Sequence, residues 1–316
     1  MTRLLIRLIA LAIVASLPVP LHAQRPGVTE KISKSFKVGP SGTLDISNVS
    51  GDVVVTEGGT DTIVIDAVKK YRGPAADAKD QFARATIEMV ERAGRVEVKT
   101  TYTARNTRVS IDYTVTAPSG TTVFAHSMSG DVKVTNIKGE VRIDTVSGNV
   151  TATGTPAATL VRTVSGDATA IGIDHQNELR VSTISGNVVI RSARARSVDA
   201  DSTSGDVALT DVLCDRALVK AFSGDITYIG SLAKAGRYQF QSQSGEVRLT
   251  LVGTSGFELD ASTFSGSIRS DFPVTVPPGQ AIGGQGPRKS LRGIVGSGGP
   301  TLSIKAFSGD IAIVKK

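Results

Sequence analysis

The sequence predicts an all-β fold: one chain wound into a parallel β-solenoid with coils of about 20 residues, carrying a short helix-plus-hairpin insertion near its N-terminal end. Three observations carry this. A Ser-Gly pair followed by Asp, Asn, Glu or Ser begins at Ser50, Ser129, Ser147, Ser165, Ser185, Ser204, Ser223, Ser244, Ser265 and Ser308, with gaps of 79, 18, 18, 20, 19, 19, 21, 21 and 43. Apolar residues alternate before the pair, as in Val141/Ile143, Leu179/Val181 and Tyr238/Phe240, and again after it, as in Val132/Val134, Val188/Ile190 and Ile226/Tyr228. Each alternation marks a half-buried strand. The two rows are also out of phase by one residue, so the chain must turn between them.

The turn is read as a corner just before Ser. The first residue there is small (Ser127, Thr145, Thr163, Thr183, Ser202, Ala221, Ser242, Thr263, Ala306) and the next is mostly apolar (Met128, Val146, Val164, Ile184, Phe222, Phe264, Phe307). Both are expected to point inward, one kept small, as in a bulge around a thin core. Gly follows where there is little room or where φ is positive. Ser and the acid or amide then face outward.

Taken in order, residues 1–23 carry Arg3 and Arg7, an apolar run through Leu17 and the small-residue site Leu21-His22-Ala23, the pattern of a secretory signal peptide. The run is too short for a permanent membrane span, and no later segment is long and apolar enough to be one. Export and cleavage lower the formal charge from +7 to +5 by removing the two arginines. An exported protein does not meet nucleic acid, so the basic balance points to anionic envelope surfaces at most. Cys214 stands alone, which excludes an intrachain disulfide, and its neighbours Val212 and Leu213 make it a buried side chain.

Residues 24–56 read as N-terminal strands and the first Ser-Gly-Asp coil. Residues 57–118 read as the insertion: Gly73-Pro74 opens a helix over 75–85, and Ile87/Met89 and Val96/Val98 flank Arg92-Ala93-Gly94 as a hairpin. Its expected role is to cap the open end of the stack. The solenoid proper spans 119–316, continuous with 24–118. The segment 273–300 is too rich in Gly and Pro for clean strands, and Lys315-Lys316 are expected to defend a terminal edge.

The exported start, the helix-hairpin insertion and the run of Thr-x-Ser-Gly-Asp-Val units resemble a bacterial domain family of unknown function known as putative adhesins, over residues 40 to 316. The resemblance implies a cell-envelope β-solenoid, with some members tied to envelope-stress systems. It implies no catalytic residue and no cofactor.

The residue after each Gly forms an outward ladder: Asp131, Asn149, Asp167, Asn187, Asp206, Asp225, Glu246, Ser267. Adjacent carboxylates about 4.8 Å apart repel by roughly 1 kcal/mol in water. The unbroken run Asp206, Asp225 and Glu246 is therefore the candidate site for Ca²⁺. Against it, Arg248 and Arg269 lie on the same face and neutralise acids without a metal, and the nonapeptide rhythm of calcium β-rolls is missing. Arg191, Arg194 and Arg196 are candidates for holding a phosphate or sulfate of an envelope polymer, with a solvated turn as the alternative. His126 and His175 lie too far apart for a zinc site, and Gly283 to Ser290 has the wrong spacing for a phosphate loop.

The functional expectation is an exported, non-enzymatic envelope protein, periplasmic or at the cell surface, that engages an envelope protein or a surface polymer through a long rigid face. The alternatives are a modulator or sensor of envelope stress and a polysaccharide-cleaving β-helix enzyme. The enzyme would need convergent acids and bases in a loop-built cleft, which these coils lack.

Overall fold

Each coil contributes two strands, one running into the Ser-Gly pair and one running out, because alternation on both sides leaves each strand with one face to bury. A computed structural model describes residues 27–253, 256–276 and 289–316. The leader 1–23 and the glycine-rich stretch 283–288 lie outside these. The incoming strands include Thr43–Asn48, Thr122–Ser129, Val141–Ser147, Ala158–Ser165 and Glu178–Ser185. They pair in parallel, Ser against Ser. The outgoing strands, among them Val53–Glu57, Val132–Thr135, Val150–Thr153 and Ala168–Asp174, make a second parallel ladder. In Val188–Ser204 and Val207–Ser223 one coil's outgoing strand runs directly into the next coil's incoming strand.

The space between the ladders is filled by the residues that alternate. Val141, Ile143, Val150 and Ala152 of one coil are all fully buried, and each Val or Ile side chain contributes roughly 1.5–3 kcal/mol. Toward the C-terminal end the filling becomes aromatic: Tyr228 meets Tyr238 and Phe240 edge to face, with centroids 6.1 and 5.6 Å apart. Both hydroxyls are satisfied inside, Tyr228 Oη donating to the Ser231 carbonyl at 2.8 Å and Tyr238 Oη to the Cys214 carbonyl at 2.7 Å.

The corner differs from the sequence reading in one respect. The small residue is indeed buried (Thr145 and Thr163 are each 1% exposed), but the apolar residue after it points out to solvent. Alternation simply continues to the residue before Ser, and the phase slips across Ser-Gly itself. In several coils the small inward residue is a Thr or Ser whose hydroxyl serves the corner, while at Ala221 and Ala306 small size alone suffices. Thr163 Oγ1 donates to the Gly148 carbonyl at 2.9 Å, Thr183 to Gly166 at 2.8 Å and Ser202 to Gly186 at 2.9 Å. Glycine is required twice over. At Gly148 φ is +129°, and a Cβ would stand 2.2 Å from the Gly130 carbonyl oxygen of the neighbouring coil. A second corner falls seven residues after Ser, where Asn136, Gly154, Gly172, Ser192 and Asp211 all take left-handed φ between 50° and 73°.

Coil order along the stack is not sequence order. It runs 95–117, 43–57, 122–135, 141–153, 158–174, 178–194, 197–213, 216–230, 237–251, 301–315, 256–270. The last coil is thus interposed: Thr301–Ser308 pairs with Arg237–Ser244 on one side and Gly256–Ser265 on the other. Lys315 therefore ends an interior strand rather than guarding an edge. The segment after 273 supplies Val274–Thr275 and Lys289–Gly296, the latter closing the sheet antiparallel to Gly256–Ser265.

At the other end, the insertion provides a short 3-10 turn and helix, Ala75–Asp77 and Ala78–Ala83, and the hairpin Ala85–Arg92/Arg95–Tyr102. It also provides a complete outer coil that packs on 43–57. Val28–Lys37, antiparallel to Thr62–Tyr71, forms the outermost strand there. Its Lys31, Lys34 and Lys37 are the actual edge defence.

Candidate functional site

Stacking in register turns the residue before each Ser into a column on the outer surface. In spatial order it reads Val49, Met128, Val146, Val164, Ile184, Thr203, Phe222, Gln243, Phe307, Phe264. Of the nine large apolar side chains exposed among the described residues, six stand in this column, between 43% and 61% exposed. Scattered exposed apolar residues need no explanation, but apolar side chains that recur coil after coil in one column make this face a candidate interaction surface. Interposing the last coil places Phe307 against Phe264, with rings stacked 5.0 Å apart and 4° from parallel.

Beside the aromatic end of the ridge lies a shallow groove of about 870 Å³. Phe222, Phe307 and Phe264 form one wall, and Lys220, Gln241 and Lys305 come from the row two residues further from the corner. Asp199, Asp201 and Arg180 close one end. Arg180 lies 3.6 Å from Asp201. Partial burial, and then the neighbouring Asp199, push the Asp201 carboxyl above the ordinary carboxylate range.

The other flank of the ridge is the acid-amide ladder, which is a hydrogen-bonded device. Asp131 Oδ1 accepts the Asn149 amide at 2.8 Å, Asn149 Oδ1 the Asp167 amide at 2.9 Å, and Asp167 Oδ1 the Asn187 amide at 2.7 Å. Asp206 and Asp225 continue it, accepting the amides of Asp225 at 2.8 Å and Glu246 at 2.7 Å. Glu246 itself pairs with Arg248 at 2.7 Å. The three acids singled out for Ca²⁺ thus stand in adjacent coils, each already engaged. Among the described residues no group of three or more His, Cys, Asp or Glu is arranged to hold a metal ion. Asp310 enters the column next to Glu246 and accepts the Ser267 amide at 2.7 Å, which, with the Ser267 hydroxyl, holds its carboxyl below the usual range.

Residues 42–314 match the Toastrack DUF4097 family. The chain belongs to that family. No curated protein matches it. Solved structures similar to this Toastrack chain include a putative adhesin from Bacteroides fragilis NCTC 9343, at 13% identity and TM-score 0.41, covering 90% of this chain and 97% of that one. A putative lipid binding protein from Parabacteroides distasonis ATCC 8503 is similar at 13% identity and TM-score 0.42, covering 90% and 96%. A putative cell adhesion protein from Clostridium sporogenes ATCC 15579 is similar at 9% identity and TM-score 0.23, covering 92% and 100%.

The arginine candidates of this Toastrack chain do not form one group. Arg191, Arg194 and Arg196 are all exposed, and none makes an ion pair among the described residues. Arg196 alone lines a hollow of about 420 Å³, with Arg216 and Arg237 from the next two coils and with Glu178 and Asp215. Arg216 and Arg237, register partners in the incoming ladder, were missed because they lie far apart in sequence. His175 is a turn residue: its Nδ1 accepts the Asn177 amide at 3.0 Å, leaving Nε2 to donate to the Ala158 carbonyl at 2.8 Å. Cys214 is buried, and that burial pushes its thiol up to about 12, which makes it inert rather than reactive. No helix of the described residues is long and apolar enough to cross a membrane.

Proposed function

We propose that this Toastrack protein is an exported, non-enzymatic binding protein of the cell envelope that presents the ridge and its groove to another envelope molecule. The observation that carries this reading is the column from Val49 to Phe264, in which Met128, Val146, Ile184, Phe222, Phe307 and Phe264 are exposed apolar side chains, interrupted by polar Thr203 and Gln243. Burying such a strip against a partner gains roughly 25 cal/mol per Å² of apolar area, and a rigid array loses little conformational entropy in doing so. The groove holds acids, amides and lysines facing a solvent-open trough, without a base poised on a nucleophile, which favours recognition over chemistry. The signal-type leader supports export, and Arg196 with Arg216 and Arg237 offers a secondary contact for an anionic group of a polymer.

The experiment is a pull-down from an envelope extract of the protein's own host, with mature chain 24–316 as bait and the triple variant F222S/F264S/F307S beside it. The wild type is expected to retain a defined envelope component that the variant loses. Equal retention by both would overturn the assignment of the ridge. A parallel arm with a calcium chelator tests Asp206, Asp225 and Glu246, since loss of the component on chelation would point to Ca²⁺ there.

A further inference from the structure

Resting on that reading of the ridge as a binding face, we infer that its partner is a second copy of this chain, so that recognition is homophilic. The argument starts from the placement of ridge and groove. Phe222, Phe307 and Phe264 project from the coils that also form the groove beside them. A two-fold axis running along the stack carries every coil level onto the same level of the other copy. It places the aromatic wall of each molecule in the groove of its partner. Such a contact is isologous and closes after two copies.

Charge agrees with this pairing. On the corner side of the ridge stand Asp206, Asp225, Glu246 and Asp310, in four neighbouring coils. On the groove side stand Lys220 and Lys305, neither of which makes an ion pair among the described residues, and Asp201, whose charge Arg180 already meets at 3.6 Å. An axis along the stack exchanges the two sides, so the lysines of each copy approach the acid column of the other. An axis across the stack would set acid column against acid column and is disfavoured. Size agrees as well. From Val49 to Phe264 the ridge spans about 43 Å at a strand spacing of about 4.8 Å. Covering about 800 Å² per copy, the area of a standard stable interface, then takes a strip about 18 Å wide, roughly five residues along each strand at about 3.3 Å each.

The test is sedimentation velocity of the mature chain between about 1 and 200 μM, a range that brackets micromolar association. A concentration-dependent dimer is expected for the wild type, and F222S/F264S/F307S should stay monomeric throughout with an unchanged far-UV spectrum. Because those side chains are exposed, the variant folds. K220E/K305E leaves the ridge intact and should still weaken the dimer at least tenfold. Mixing Gln243→Cys with Gln241→Cys chains should give a disulfide between unlike chains, while either alone should not; Cys214, being buried, stays silent.

A wild type that is monomeric at every concentration, or a dimer untouched by loss of the three phenylalanines, overturns the inference. The pull-down separates this failure from failure of the wider reading. Ridge-dependent capture of a different molecule by a monomeric wild type would leave the binding face standing and homophilic recognition refuted. No capture and no dimer would remove both.

Discussion

Even a single methyl group is more than the corner admits. On Gly148 it would meet the Gly130 carbonyl oxygen at 2.2 Å, with backbone on both sides of the clash and φ at +129°. Gly39 has a comparable left-handed φ of +77° with nothing within 4 Å. Gly148→Ala should therefore cost on the order of 3 kcal/mol or more, against about 1 kcal/mol for Gly39→Ala, measured by urea denaturation of the two variants. Titration offers a second check. The Asp201 carboxyl is raised by burial and by Asp199, so its ionised form is disfavoured in the folded chain. Ionisation then destabilises the fold at pH values above its folded pKa and has no effect below the unfolded value near 3.9. Asp201→Asn should raise the melting temperature at pH 7 and leave it unchanged at pH 3, since the Arg180 pair it gives up is solvent-screened. Sequence alone located Gly and the small residue before it, because sterics leave a compositional trace. It misplaced Phe222, Phe264 and Phe307, because apolar character argues for burial while alternation, continued one residue further, argues for exposure. The left-handed corner at Asn136, Gly154, Gly172, Ser192 and Asp211 was legible as a column of turn-forming residues, had the copies been aligned beyond the second strand.

Coils as elements are interchangeable, and that is why their order could not be read. Every copy offers its neighbours the same register, Ser on Ser and Gly on Gly, so spacing alone favours serial stacking with 301–315 outermost. The interposed arrangement is fixed by what lies between the last two coils. Lys289–Gly296 folds back along Gly256–Ser265 over eight residue pairs and occupies the edge that a serial coil would need. Coil 256–270 then depends on 301–315 for its attachment to the rest of the stack. A chain ending at Gly296 should lose hydrogen-exchange protection across 256–270 while 141–223 keep theirs, because contacts in such arrays reach only the nearest neighbour. Retained protection over 256–270 would mean that it had re-paired directly with 237–251.

At the scale of the whole molecule, the parallel coils and the helix-plus-hairpin insertion were legible, because period and alternation act over the full length. The ridge was not, since it exists only after ten separated residues are brought into one column, and neither was the arginine trio around Arg196. The interposed coil has a further consequence, in mechanics. An adhesive or tethered protein is loaded through its ends, and an array of coils pulled from an outermost coil unravels one rung at a time. Anything attached beyond Lys316 pulls instead on Ile311–Lys315, which is held by Val247–Leu251 on one side and Ile268–Ser270 on the other. Force along that strand loads both sets of hydrogen bonds in shear at once, so the stack resists as a block where a serially wound one would unzip.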